Sequence, residues 1–203
     1  MSRKLGRAIA VSAAVAAAVS MSVVGTASAA TTITYKTGDT NLSCSFPLIG
    51  NQPVLLKAQF DAPDAVSTGN VITPANVKAT ATISAALHNT LTNLGYNGVQ
   101  GHADAQVTSV GLSPSPAALA NLTIPTQTYP AGGAIDVNIN DTGATIPAFT
   151  VTGAAGTQAS VTLSGTFNAP IELLKTAGGS TPWTMKCTIK SGTPAFSPNV
   201  TIS

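Results

Sequence analysis

Leu42-Ser43-Cys44-Ser45-Phe46, followed by Pro47-Leu48-Ile49-Gly50-Asn51-Gln52-Pro53, decides how the chain is read. Leu42, Cys44 and Phe46 alternate with Ser43 and Ser45, the period-two pattern of a strand with one dry and one wet face. The Pro, Gly and Asn residues that follow are turn formers, and they end the strand. Val54, Leu56, Ala58 and Phe60 then alternate with Leu55, Lys57, Gln59 and Asp61. The same alternation returns at Val77-Ile83, Ala103-Val107, Ile135-Ile139, Val161-Leu163 and Met185-Ile189. Half-apolar strands of this kind belong to antiparallel sheets with one wetted face. The expected fold is therefore all-β, an antiparallel β-sandwich immunoglobulin-like in architecture, with a closed barrel as the alternative.

Cys44 and Cys187 are the only cysteines, and both fall in the apolar register of their strands. An exported protein oxidises such a pair, so one buried disulfide is expected between the first core strand and the last. Export follows from the first 29 residues. Arg3, Lys4 and Arg7 precede an apolar run over 8–24, and Ala27-Ser28-Ala29 supplies small residues for signal-peptidase cleavage. Residues 1–29 are read as a signal peptide and 30–203 as a single secreted domain, with no membrane span after cleavage. The destination is extracellular or cell-wall associated.

Three of the nine basic residues lie in that leader, leaving six dispersed lysines against seven carboxylates and a formal charge of −1 on residues 30–203. That balance, with no arginine, lacks the electrostatic footprint of a nucleic-acid binder. One stretch departs from period two. Leu87, Leu91 and Leu94 recur at helical spacing, with Ser84 as a cap and Gly95 as a terminator, so one short helix is expected over 85–94.

The Cys44-x-Phe46-Pro47-Leu48-Ile49-Gly50-x-Gln52-Pro53 motif, Thr73-Pro74 before a strand, the glycines of Gly98-Val99-Gln100-Gly101 and the late Cys187 strand resemble a family of uncharacterised secreted actinobacterial β-rich proteins. The resemblance spans about residues 40–203. It implies a secreted β-rich domain and supplies no catalytic residue.

Candidate sites are few. His88, on the polar side of the expected helix, with His102 and Asp104 on one strand face, forms a weak metal constellation that would serve a metal-dependent hydrolase; solvated surface residues are the plainer reading. Asp136, Asn138, Asn140 and Asp141 begin like a calcium loop, but Asp141 stands where glycine should turn the chain and Pro147 where glutamate should bind. Ser164 lies inside an alternating strand, facing solvent, without the elbow of a nucleophilic serine. Tyr96 and Tyr129, beside turn residues, are the expected exposed platforms for a glycan, whereas Trp183 shares the register of Cys187 and should pack against the bridge.

The sequence therefore points to a non-enzymatic secreted or cell-envelope protein, structural or adhesive, with no cofactor. A glycan or cell-wall binding module is the alternative. The expected partners are a cell-wall polymer or another surface protein, and the low charge leaves self-association open.

Overall fold

The computed structural model describes residues 30–203, so the leader lies outside the described residues. In chain order the elements are β1 (Thr32–Thr37), β2 (Thr40–Phe46), β3 (Gly50–Pro63), β4 (Ala65–Val66), β5 (Val71–Ile72), β6 (Ala75–Ile83) and α1 (Ala85–Asn93). They continue as β7 (Tyr96–Val110), β8 (Leu112–Ser113), β9 (Ala117–Thr128), β10 (Ile135–Asn140), β11 (Phe149–Val151) and β12 (Gln158–Lys175). β13 (Ser180–Gly192), β14 (Phe196–Ser197) and β15 (Val200–Ile202) complete the chain. Among the described residues no helix is long and apolar enough to cross a membrane.

The antiparallel, sandwich-like all-β fold is the one that the alternation implies. Its ladders are also continuous. β2, β3, β6, β10, β9, β7, β12 and β13 pair in that order, and β13 pairs again with β2, so eight strands form a closed circuit. Alternation sets which face of a strand is dry but is the same in a sandwich and a barrel. β13 settles the matter by lying between β12 and β2, with Cys187 directly opposite Cys44. The two cysteines form the expected disulfide, both buried.

Inward positions follow the period of two. Val54, Leu56, Phe60 and Ala62 of β3, Ile135 and Val137 of β10, and Ile171 and Leu173 of β12 join one apolar core. A small sheet of β5, β11 and β8 adds Ile72, Phe149 and Leu112 to that core. At the other end α1 stands between β6 and β7, its first free N–H groups met by Ser84, whose Oγ accepts from Leu87 N at 3.3 Å. Leu87 and Leu91 are buried under it. The helix is closed by Gly95 at φ +85°, a left-handed position that glycine adopts without strain.

Two buried phenols make stability depend on alkaline pH. Tyr35 and Tyr129 are each pushed up to about 12, in both cases chiefly by burial, with the charge of Asp64 adding at Tyr35 and Tyr96 at Tyr129. In the unfolded chain a phenol ionises near pH 10. The folded state therefore keeps a proton that the unfolded state releases, so their contribution is complete below about pH 10 and declines as pH rises toward 12. Denaturant midpoints measured through this window should fall for the parent and fall less steeply for Tyr129→Phe.

Candidate functional site

A broad polar concavity lies on the outside of the barrel, not in it. Side chains at alternate positions of β3, β6 and β10 point away from the core. Register then assembles them: Lys57 pairs with Thr80 and Gln59 with Lys78 across β3 and β6, while Thr80 pairs with Asn138 and Lys78 with Asn140 across β6 and β10. Lys36 of β1 is opposite Gln59. These residues line a basin of about 560 Å³. Three of the six lysines outside the leader meet there, although they are spaced widely in sequence.

The polar groups around the basin are held unequally. Lys57 Nζ pairs with Asp39 Oδ1 at 3.1 Å, the one ion pair among the described residues, and both side chains are exposed. Asn138 is fixed by Gln127, whose Nε2 donates to the Asn138 carbonyl at 2.9 Å and whose Oε1 accepts from Asn138 N at 2.8 Å. Beside the basin, Asp61 accepts from Thr34 Oγ1 at 2.6 Å and Asn76 Nδ2 at 2.8 Å. Those hydrogen bonds, with Lys78 contributing charge, hold its carboxyl below the usual range. Lys57 is thus tethered by Asp39, whereas Lys36 and Lys78 make no ion pair among the described residues, and Asn138 and Asn140 are held by Gln127 and Thr142.

The expected aromatic platforms are elsewhere. Tyr96 and Tyr129 are 6% and 9% exposed, so neither offers a ring face to a glycan. Tyr96 opens β7 directly after α1 and Tyr129 directly follows β9, and both join the core there, Tyr129 against His88 of the helix. His88 is likewise 3% exposed and not on a solvated face. Its Nδ1 lies 2.7 Å from the Gly133 carbonyl oxygen, and its ring meets Tyr129 edge-on with centroids 5.7 Å apart. His102 lies within β7 and is exposed, and Asp104 accepts from Asn121 N at 2.9 Å. Among the described residues no three His, Cys, Asp or Glu side chains are placed to hold a metal ion.

The calcium-like stretch is a strand. Asp136 accepts from Thr82 Oγ1 at 2.6 Å, Asn140 Oδ1 accepts from Thr142 N at 3.0 Å, and Asp141 Oδ2 accepts from Val77 N at 2.9 Å. Their oxygens serve the sheet. Ser164 departs from its expected solvent-facing position, since its hydroxyl is buried with no hydrogen-bond partner. It lies opposite Gln106 just before the register shift in β12, with no histidine at that ladder position. Trp183 faces inward, half-buried, and its Nε1 donates to the Ser45 carbonyl at 2.9 Å.

Reading residues in sequence order misses Lys36 and Lys78 because each is an isolated charge in its own segment. Only the pairing of β1 with β3 and of β3 with β6 brings them together. No curated protein and no solved structure matches the chain. Residues 41–196 match the model of DUF6801, a family of unknown function, and the chain belongs to that family.

Proposed function

We propose that this protein is a non-enzymatic component of the cell exterior, structural or adhesive, and that it works by binding an anionic cell-wall polymer in the outer basin. The observation that carries the reading is the convergence of Lys36, Lys57 and Lys78 over a floor of Gln59, Asn138 and Asn140. Lysines supply positive charge on flexible stems, and the amides offer hydrogen bonds to hydroxyl or phosphate oxygens. The basin is open and shallow, and it suits a repeating polymer better than one enclosed small molecule. A leader read as a secretion signal and a disulfide agree with an exterior location.

The test is co-sedimentation of the chain with washed cell walls. Exposed charge pairs contribute about 0.2–1 kcal/mol each, so the double variant Lys36→Glu/Lys78→Glu should bind roughly tenfold more weakly. Retention of the parent should also fall at about 1 M salt, where screening acts over ~3 Å. Equal retention of parent and double variant would remove the basin from the binding surface.

A further inference from the structure

Inside the circuit of strands the core is incompletely filled. Two cavities of about 90 Å³ each lie end to end, and both are bounded by Leu56, Ala103, Ile139 and Phe167. The first reaches toward Ile72 and Phe149 of the small sheet, and the second toward the Cys44–Cys187 bridge. An eight-stranded barrel has an interior just wide enough to be filled by side chains or to hold one small ligand. Here alanine occupies inward positions on two adjacent strands of one wall, β3 and β6, and on two adjacent strands of the facing wall, β7 and β12: Ala58, Ala79, Ala81, Ala103, Ala105 and Ala169. These alanines stay only partly buried although they line the interior. The walls therefore face space and not packed side chains.

The lining chemistry selects the occupant. Apolar cavities of this order stay dry and take up apolar guests, because water needs polar partners that such walls do not supply. Both cavities are lined almost wholly by carbon, and Gln59 and Lys78 line the first cavity as well as the outer basin. The two lobes share Leu56, Ala103, Ile139 and Phe167, so together they run from the small sheet to the disulfide, a long narrow space that matches an unbranched chain better than a broad ring system.

The barrel also has one weak side. β10 pairs with β6 at six positions but with β9 at Asn140–Thr123 alone, with an isolated Ala120–Thr145 bridge beyond its end. Over the rest of that seam the Gln127 amide stands in for a strand, donating to and accepting from the Asn138 backbone. Separating β9 from β10 there breaks few backbone hydrogen bonds, and it uncovers Ile139, Leu122 and Ile124 of the cavity walls. We propose that the barrel interior is a binding site for a single unbranched aliphatic chain, loaded through the β9–β10 seam with Gln127 as its latch.

The experiment follows methyl resonances of the chain by NMR during titration with n-hexane and, separately, with hexanoate. Saturable shifts at Ala103, Leu56 and Ile139 are expected, and Ala103→Leu, which adds bulk where the two lobes share a wall, should abolish them. Ala103→Val serves where the larger variant does not fold, and should weaken binding at least fivefold. Hexane binding without hexanoate binding identifies a neutral chain. Tighter binding of hexanoate, lost in Lys78→Ala, identifies an amphiphile whose head reaches the basin; both results support the chain site. Absence of shifts with both probes in the folded parent overturns it. Gln127→Leu should speed hexane exchange several-fold, and an unchanged exchange rate would rule out the seam as the way in.

Discussion

Replacing Cys44 with serine is expected to lower the melting temperature by about 10 °C, at roughly 2–4 °C per kcal/mol for a domain of this length. The bridge lies where the circuit closes. Cys44 of β2 and Cys187 of β13 occupy directly opposed ladder positions with Cα atoms 4.0 Å apart, and they are 0% and 6% exposed. It spans 143 residues of sequence. In the chain-entropy account a loop that long restrains the unfolded state by about 5 kcal/mol, and measured losses for native bridges are typically about 2–5 kcal/mol. Serine adds a second cost, since its hydroxyl would sit among Leu42, Phe46 and Met185 with only the weakly polar Cys187 thiol facing it, at about 1–3 kcal/mol. The double variant Cys44→Ala/Cys187→Ala separates the two effects, because it removes the bridge without burying a hydroxyl. Thermal melts of all three proteins under oxidising conditions decide the matter. A serine variant melting within about 2 °C of the parent, less than 1 kcal/mol on this scale, would mean that the β2–β13 ladder closes the barrel unaided.

What the sequence discloses and what it withholds divide along the range of the interactions. Strand faces are local, so Val77, Ala79, Ala81 and Ile83 announce an inward row, and Lys78, Thr80 and Thr82 an outward one. The helix is local too, since Leu87 and Leu91 lie one turn apart and Ser84 caps the start. His88 shows the limit of such reasoning. A helix that covers the end of a barrel is buried over more than one stripe, and position 88 adjoins Leu91 on the wheel. Tyr96 and Tyr129 mislead for a related reason, because adjacency to a turn does not fix where a ring points.

Leu48 is the converse case. It is an apolar residue of the Cys-x-Phe-Pro-Leu-Ile-Gly motif, yet it is 85% exposed, with φ +67° in the β2–β3 turn. Nothing in its composition distinguishes it from the buried Leu42. The basin lies beyond local reading, and local alternation leaves a sandwich and a closed barrel as alternatives without deciding between them. Basin and closure both depend on which strands become neighbours, and alternation alone does not encode that pairing.

Gly101→Val should be among the most destabilising single substitutions in the protein, at about 3 kcal/mol or more, through overpacking and backbone strain acting together. Gly101 lies in β7 between two partners, opposite Ile171 of β12 and Ile124 of β9. Its φ is +142°, a conformation that side-chain-bearing residues rarely adopt. A Cβ there would press into the carbonyl oxygen of Pro170 and stand 2.8 Å from the Ile171 Cα. Both atoms are backbone of the neighbouring strand, so no side-chain rotation relieves the clash, and the β7–β12 ladder itself must part. Gly132, in the loop between β9 and β10, is the control. An added Cβ at that position meets nothing within 4 Å, and surface changes of this kind stay within about 0.5 kcal/mol. Urea midpoints of Gly101→Val and Gly132→Val should therefore separate widely, with Gly132→Val beside the parent. Equal midpoints would place β7 and β12 farther apart than their ladder requires, and a barrel closed through them would be untenable.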